Sequence, residues 1–508
     1  MATKVVSAAL VGLESELVEV EADVGHAPSA FVIVGLPDKA VEESKERIRS
    51  AMKNSGLEFP RPKVTVNLAP ADLKKEGPSY DLPITIAVLA TRDAFVWHPE
   101  DAGAIFVGEL SLDGHLRPIP GALSISLLAV RKGITRVFVP AENAAEANLV
   151  PGLEIIPVRT LAELVLHLTG EHRIAPVAFV EPAPSDAWES QYDMCYIQGQ
   201  EHVKRALEIA AAGGHNVLMS GPPGSGKTLL ARTLPTILPM LTLEEALEVT
   251  RLYSVSGMVR DGNPLVWERP FRAPHHTASG VAIVGGGTTP HPGEISLAHR
   301  GILFLDEFPE FGRSVLENLR QPLEDGVVAV SRASGTTHFP AQFMLVAAMN
   351  PCPCGYATDT TRDCLCTPPQ VMKYQKKLSG PLLDRIDIHV DVPKLHFEKL
   401  ADTAIAERSS AIRARVERAR QRQRERFRES RVLTNAEMSS REVRAHCPVD
   451  APTQVMLKNA VSAMHLSARG YYRVLKIART IADLTGDAQI ASTHVGEALQ
   501  YRPKMGEF

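Results

Sequence analysis

A glycine-rich segment with the spacing of a phosphate-binding loop occupies residues 221–228. A short apolar run typical of a strand precedes it, and a run typical of a helix follows it. In such a loop, backbone N–H groups and the positive end of the helix can bind phosphates. Lys227 is predicted to reach the β- and γ-phosphates of a nucleotide, and Thr228 to bind Mg²⁺ through its hydroxyl. The predicted nucleotide-binding residues in this loop are Gly221, Pro222, Pro223, Gly224, Ser225, Gly226, Lys227 and Thr228.

Two acidic residues and one amide follow apolar strands farther along the chain. Asp306 and Glu307 come after the run 302–305, and Asn350 comes after the run 343–349. The carboxyl ends of parallel strands meet at one edge of a sheet, so these side chains are expected beside the phosphate loop. We predict that Asp306 holds Mg²⁺, that Glu307 polarises the attacking water and that Asn350 orients it. For either carboxylate taken alone, the alternative is a helix cap or a surface charge.

Four of the six cysteines lie within fifteen residues, in two C-x-C pairs. Four thiolates suit tetrahedral Zn²⁺, whereas a secreted disulfide scaffold spreads more cysteines over a shorter chain. Free thiols or a labile redox pair are the alternative. The predicted ligands of a structural zinc are Cys352, Cys354, Cys364 and Cys366.

The composition is that of a globular protein. Of the 508 residues, 44% are hydrophobic and 22% are charged, and the net charge is −4. A uniformly basic nucleic-acid binder is excluded, but a local basic patch is not. No apolar run approaches the ~18 residues of a membrane helix, and the first residues indicate a strand rather than a signal peptide. We expect a cytoplasmic protein.

Three domains are expected from the order of the apolar runs. Residues 1–170 mix strands and helices, and the proline-containing stretch 171–195 is the expected linker. Residues 196–395 alternate strands and helices as in a parallel α/β sheet, and residues 396–508 are helical.

Lys227, Asp306 and Asn350 occur in the order of Walker A, Walker B and sensor 1 in AAA+ ATPases. The strings RPFRAPHHT at 269–277 and PGEISLAH at 292–299 narrow the resemblance to the Mg-chelatase-like YifB/ComM family. The resemblance covers nearly the whole chain. It implies ATP and Mg²⁺ as cofactors, a ring that is a hexamer, and a helical lid at the C-terminus.

The resemblance also assigns two insertions and two arginines. A helix-2 insertion is expected in the 79 residues between Lys227 and Asp306, and a hairpin around a turn at 333–337 is expected before sensor 1. Arg385 is implied as an arginine finger that reaches the neighbouring subunit's ATP, with an ordinary salt bridge to Asp384 or Asp387 as the alternative. Arg469 is implied as sensor 2, and Arg473 competes for that role.

Residues 75–80 and 108–121 resemble the catalytic domain of Lon protease. The resemblance puts Ser79 at the nucleophile position, but the position of the lysine base falls on Ser124, and Lys132 lies eight residues farther on. A serine hydroxyl without that base is a poor nucleophile. We expect a Lon-like α+β domain without peptidase chemistry.

The resemblance implies an ATP-driven DNA motor, a helicase active in branch migration when incoming single strands recombine during natural transformation. Sequence-independent DNA contacts are expected from ten arginines between Arg408 and Arg431, from the hairpin with Arg332 and His338, or from the lysines at 373, 376 and 377. A solvated helix with Glu–Arg pairs is the alternative for the arginine-rich stretch. The alternative functions are a chelatase-type remodeller of a protein partner and an ATP-dependent protease.

Overall fold

In a computed structural model, the chain forms two compact units. One segment that follows the phosphate loop in the sequence belongs to the first unit, although the residues before and after it belong to the second. The first unit contains Met1–Pro184 and Leu243–Trp267, and the second contains Ser185–Thr242 and Glu268–Phe508. The predicted three-domain division stays a prediction. The structure describes residues 3–25, 27–92, 98–183, 191–259, 263–287, 290–332, 335–359, 362–394, 406–430 and 432–502.

A mixed seven-stranded sheet forms the centre of the first unit. Its strand order is β3-β4-β2-β1-β5-β8-β9, and a separate short pair is formed by β6 (Glu109–Leu110) and β7 (Leu116–Arg117). Apolar and polar residues alternate along the long strands, so one face of each is buried. The strands are β1 (Thr3–Val11), β2 (Glu14–Val24), β3 (Phe31–Val34), β4 (Val64–Ala69), β5 (Ile105–Phe106), β8 (Arg136–Pro140) and β9 (Glu154–Val158).

Helices cover this sheet and complete its core. The first begins after Asp38, whose carboxylate accepts a hydrogen bond from the N–H of Val41 at 2.8 Å. The helices of the unit are α1 (Lys39–Asn54), α2 (Asp81–Leu89), α3 (Ala122–Arg131), α4 (Ala144–Ala147), α5 (Leu161–Leu168) and α8 (Leu243–Val255). Every residue of α2 is buried. Helix α8 packs on α3, where the N–H of Gly121 donates to the carbonyl of Ser254 at 3.0 Å and the buried Ser254 hydroxyl donates to Glu146.

A parallel five-stranded sheet forms the centre of the second unit. Its order is β11-β14-β17-β10-β18, and every neighbouring pair is parallel. All residues of β14 and β17 are buried, as their uninterrupted apolar sequences predict. The strands are β10 (Val217–Ser220), β11 (Phe271–Arg272), β14 (Ile302–Leu305), β17 (Met344–Met349) and β18 (Ile388–Asp391).

The helices of the second unit lie around this sheet and in the C-terminal region. Those of the sheet region are α6 (Glu201–Gly213), α7 (Lys227–Ile237), α9 (Gly280–Val284), α10 (Glu294–Leu297), α11 (Arg313–Asn318), α12 (Arg320–Asp325), α13 (Pro368–Gln375) and α14 (Gly380–Leu383). The C-terminal helices are α15 (Ser409–Arg426), α16 (Ser440–His446), α17 (Ala451–Ala463), α18 (Ala468–Thr485) and α19 (Ser492–Gln500). None of the described helices is both long and apolar enough to cross a membrane.

Two hairpins interrupt the second unit. Strands β12 (Gly285–Gly286) and β13 (His291–Pro292) pair between α9 and α10, where the helix-2 insertion is expected. Strands β15 (Val327–Arg332) and β16 (Gly335–Pro340) form the hairpin before β17.

The predicted turn of the second hairpin, 333–337, is too long. Thr336 and Thr337 are β-branched and pair with Ser331 and Val330, so the second strand begins earlier than the turn chemistry indicated. Residues 333–334 and the side chain of Arg332 lie outside the described part of the chain. Part of the predicted linker (184–190) and the stretch 395–405, which contains the predicted boundary at 396, lie outside it as well.

Candidate nucleotide-binding site

The glycine-rich loop joins β10 to α7 as predicted. The loop ends at Gly226, which has φ +89°, a conformation that favours glycine because it has no Cβ. Helix α7 then begins at Lys227 and Thr228. The N-terminus of this helix faces a cavity of about 760 Å³ that the loop residues 223–228 line.

Lys227 is almost fully buried at the base of this loop. Its Nζ donates to the carbonyls of Gly221 (2.8 Å) and Pro222 (2.9 Å) and lies 3.4 Å from Oδ1 of Asn350. Burial lowers the pKa of Lys227 from its ordinary value, and the nearby Asp306 carboxylate partly opposes this shift. The ammonium group and the sensor amide therefore share one corner of the cavity.

Asp306 and Thr228 meet across the cavity. The Thr228 hydroxyl donates to Oδ2 of Asp306 at 2.8 Å, and Oδ1 of Asp306 accepts from the N–H of Glu307 at 2.9 Å. A hydroxyl and a carboxylate are hard oxygen donors of the kind that Mg²⁺ prefers. These two residues fit the predicted metal site.

Glu307 follows Asp306 in the left-handed backbone region, with φ +52°. Its side chain is about half exposed and lines the cavity. Oε2 lies 3.0 Å from Nδ1 of His276. The structure thus brings Lys227, Thr228, Asp306, Glu307 and Asn350 to a single cavity.

The structure does not bring the predicted arginine finger to this cavity. Arg385 is 8% exposed, and its guanidinium pairs with Glu324 at 2.5 Å. It also donates to the carbonyls of Pro381 and Arg320. The ion pair therefore involves Glu324, and not Asp384 or Asp387 as the alternative interpretation supposed.

The two candidates for sensor 2 have different environments. Arg469 is exposed in the first turn of α18. Arg473, one turn later, is 14% exposed and pairs with Oδ1 of Asp387 at 3.2 Å. Neither residue lines the cavity of its own chain.

The four clustered cysteines face one another. The Sγ atoms of Cys352, Cys354 and Cys364 are 3.3–3.6 Å apart, and Sγ of Cys366 completes a group within 4.8 Å. Tetrahedral Zn–S bonds of ~2.3 Å hold sulfurs ~3.8 Å apart, so this donor set fits zinc. The loop also packs on the phosphate loop, because a Cβ on Gly355 would lie 2.6 Å from Cδ of Pro223.

Most of the arginine-rich helix α15 is occupied by structural contacts. Arg426 pairs with the buried Asp483, and Arg415 pairs with Glu208 and Glu407. Arg413 and Arg420 donate to the carbonyls of Thr236 and Ala211. The exposed arginines among the described residues of the stretch 408–431 are Arg408, Arg418, Arg424 and Arg428. The helix anchors its surroundings, which favours the structural alternative over a DNA-tracking surface.

In the Lon-like region, the position expected for the lysine base is occupied by a buried serine and covered by an arginine. Ser124 is fully buried, and its hydroxyl donates to the carbonyl of Leu13 at 2.8 Å. Arg251 of α8 lies over it, with Nε 3.3 Å from the Ser124 hydroxyl and a 2.6 Å ion pair to Glu14. Lys132 is exposed.

A buried lysine does occur four residues before the half-buried Ser79. Burial lowers the pKa of Lys75, but its ammonium group donates to the carbonyl of Pro70. The hydrogen bond to Pro70 ties this lysine to the backbone.

The parallel sheet, its phosphate loop and the acidic strand end define an ATPase fold of the AAA+ Mg-chelatase type. Three family models match successive parts of the chain: subunit ChlI of Mg-chelatase at residues 20–143, magnesium chelatase subunit ChlI at 193–400, and its C-terminal model at 406–502. The predicted fold class is confirmed.

Full-length relatives narrow the class to one family. The chain is 44% identical over 507 residues to competence protein ComM of Haemophilus influenzae, covering 98% of this chain and 97% of that protein. It is 42% identical over 499 residues to the protein YifB of Escherichia coli, covering 97% and 96%. The chain belongs to the YifB/ComM family of Mg-chelatase-like AAA+ ATPases, as predicted.

A partial likeness to Lon protease is also present. Lon protease of Rhizobium meliloti is 28% identical over 137 residues, which cover 25% of this chain and 17% of that protein. The likeness agrees with the resemblance seen in the sequence.

His276 lies in the RPFRAPHHT string, but no role was predicted for it from the sequence. Within that string, Arg269 donates to the carbonyls of Pro239 and Arg300, and Arg272 forms a bidentate pair with Glu294 of the PGEISLAH string. These arginines hold the segment in place. The signal available in the sequence was the pair of adjacent histidines, His275 and His276, three and four residues after Arg272.

Proposed function

We propose that this protein hydrolyses ATP with Mg²⁺ and uses the energy to move on DNA as a hexameric helicase in recombination. The observation that carries the ATPase part is the convergence of Lys227, Thr228, Asp306, Glu307 and Asn350 on one cavity. Such a convergence combines phosphate binding, metal binding and water activation at the edge of one sheet.

The proposed roles follow from the atoms that each side chain offers. Lys227 neutralises the β- and γ-phosphates, and Thr228 with Asp306 holds Mg²⁺, which spreads the charge of the phosphates. A water oxygen bonds to the γ-phosphorus while the bond to the bridging oxygen breaks and its electron pair stays on ADP. Glu307 takes the proton of this water, and Asn350 orients it.

The remaining ATPase residues are proposed to act in a ring. Arg385 serves the ATP of the neighbouring subunit, which requires it to leave Glu324 when the subunits assemble. Arg469 is the better candidate for sensor 2, because Arg473 is engaged by Asp387.

The DNA part is supported by the name of a relative: a protein 44% identical over nearly its whole length is a competence protein. Competence is the uptake of DNA, and the proposed role is branch migration of incoming strands. We propose that DNA contacts the β15–β16 hairpin, where His338 is exposed, together with the exposed Lys373 and Lys376. These contacts are sequence-independent.

Structural zinc at the four cysteines and a cytoplasmic location complete the proposal. All six cysteines of the chain are free of disulfide bonds. Reduced, clustered thiols are typical of metal sites in reducing compartments.

Steady-state ATPase activity with and without single-stranded DNA, beside unwinding of a labelled three-way junction, tests the function. We expect stimulation by DNA and strand separation in the wild type. Lys227→Ala should abolish both through lost ATP binding, and Glu307→Gln should bind ATP but lower turnover about 100-fold. The controls are the exposed Lys458→Ala and Glu310→Gln.

Each other outcome favours a different function. ATPase activity that is indifferent to DNA would contradict the motor and favour the chelatase-type remodeller, whose family models match the chain. ATP-dependent degradation of casein that disappears in Ser79→Ala would favour the protease.

A further inference from the structure

The imidazole of His276 lies beside the carboxylate of Glu307. Its Nδ1 lies 3.0 Å from Oε2 of Glu307, and the two side chains are 30% and 54% exposed. Both residues line the cavity that contains the phosphate loop. The contact joins the RPFRAPHHT string to the strand end that carries the acidic pair.

The ring of His276 is itself held in place. It lies 4.2 Å from the ring of His275, tilted by 33°, and its edge meets Phe311 with a centroid distance of 6.5 Å. Phe311 is buried. His275 in turn has its Nδ1 2.8 Å from the hydroxyl of Thr277. The imidazole therefore offers Glu307 a partner at a fixed position.

Glu307 needs such a partner more than Asp306 does. Asp306 is fixed by the Thr228 hydroxyl and by a backbone N–H. Glu307 has a longer side chain, is half exposed and stands on a left-handed backbone. A general base acts only when its oxygen points at the water. A mobile Glu307 carboxylate would therefore lower the rate of ATP hydrolysis but leave ATP binding unchanged.

We propose that His276 is a positioning residue for ATP hydrolysis. Its Nδ1–H donates to Oε2 of Glu307 and leaves Oε1 to take the proton from the attacking water. This inference rests on the proposed role of Glu307. His276 acts through that carboxylate and makes no contribution to phosphate binding.

The test compares ATP turnover of His276→Ala, His276→Asn and the wild type in the full chain. His276→Ala should lower kcat about tenfold and leave KM unchanged, because orientation is lost and binding is kept. Asn carries a short side-chain N–H donor, so His276→Asn should recover most of kcat. The exposed His172→Ala is the matched control, and melting temperatures report whether each variant is folded.

A double-mutant cycle separates this inference from the function on which it rests. In a Glu307→Gln background, His276→Ala should lower turnover no further, because its effect passes through Glu307. If Glu307→Gln is inactive while His276→Ala retains full kcat, the positioning role is wrong and the proposed function stands. A rise in kcat for His276→Ala, or a loss that Asn does not rescue, also overturns it. Full activity of Glu307→Gln overturns both.

Discussion

The nucleotide site and the Lon-like serine region each lie on a sheet covered by helices, but they differ in what their buried side chains do. At the nucleotide site, Lys227 is hydrogen-bonded to the backbone and Asp306 to Thr228, and both residues line an open cavity. In the Lon-like region, Ser124 and Arg251 are bonded to Leu13 and Glu14, and they fill the place where a base would be needed.

We interpret the difference as a fold that is kept while packing takes the place of the peptidase chemistry that we expect it to lack. Both regions carry motifs that resemble enzymes. At the nucleotide site, the motif residues line a common cavity, whereas Ser124 and Arg251 of the Lon-like region are engaged by neighbouring groups. The geometry around each motif is therefore the basis on which we propose activity at one region and a structural role at the other.

The largest expected effect concerns Arg385, a proposed catalytic residue that lies outside the cavity. Arg385→Ala should lower ring ATPase activity about 10³-fold, because a guanidinium supplied in trans offsets transition-state charge. Mixing Arg385→Ala with Lys227→Ala should restore part of the activity, since one type of interface then has an intact ATP site and an intact arginine. ATPase assays on mixed rings measure this.

The ion pair with Glu324 provides the control. Glu324→Gln removes the pair but keeps the arginine, so it should retain turnover. If Glu324→Gln is as inactive as Arg385→Ala, and mixing restores nothing, the arginine is structural and resembles the packed residues of the Lon-like region.

The next effect concerns the cysteine cluster beside the phosphate loop. Purified protein should contain about one zinc per chain, and Cys352→Ser should lose it. The melting temperature of the second unit should then fall by several degrees, because the loop around Gly355 packs on Pro223. Cys195→Ser is the matched control that keeps the metal. Equal metal content in both variants would mean that these thiols bind no zinc.

A smaller effect is expected at Asp81, two residues after Ser79. Burial raises the pKa of Asp81 to about 6, although it accepts hydrogen bonds from Arg47 and from the N–H of Leu110. A carboxyl whose pKa is higher in the folded state favours folding below its ordinary pKa near 3.8 and loses that contribution as pH rises to about 6.

The free energy of unfolding of the first unit should therefore fall by ~2 kcal/mol from this group between pH 4 and pH 7. Asp81→Asn should lack this fall, so the stability difference between variant and wild type should change with pH. Calorimetry across this range measures it. A difference that stays constant would show that Asp81 has an ordinary pKa.

No effect on activity is expected from the last substitution, at Ser79. Ser79→Ala should leave ATPase activity, junction unwinding and casein unchanged, because the lysine position is Ser124 and Lys75 is bonded to Pro70. Peptide cleavage by the wild type that Ser79→Ala removes would erase the contrast between the two regions.

The strands that carry the nucleotide site and the cysteine cluster could be predicted, because each depends on residues that are close together in the sequence. The strands before the phosphate loop and before Asp306 and Asn350 are uninterrupted apolar runs, so they were found together with the residues that follow them. The four cysteines were found because they lie within fifteen residues of sequence, and the structure brings their sulfur atoms together.

What escaped prediction depends on contacts between distant residues. The arginines of α15 look like a basic surface until Asp483, Glu208 and the carbonyls of α6 and α7 are placed beside them. His276 meets Glu307 from 31 positions away in the chain. No periodicity encodes that Leu243–Trp267 joins the first unit.

Because Leu243–Trp267 belongs to the first unit, the order of synthesis affects when that unit can fold. A chain emerges from the ribosome from its N-terminus, and domains fold as their residues become available. Here the first unit lacks Ser254, the partner of the buried Glu146, until the whole phosphate loop has been made. The first unit can therefore be completed only after residues 185–242, which belong to the second unit, have been synthesised. A fragment that stops at residue 184 would leave Glu146 without Ser254, and Ser124 without the cover of Arg251.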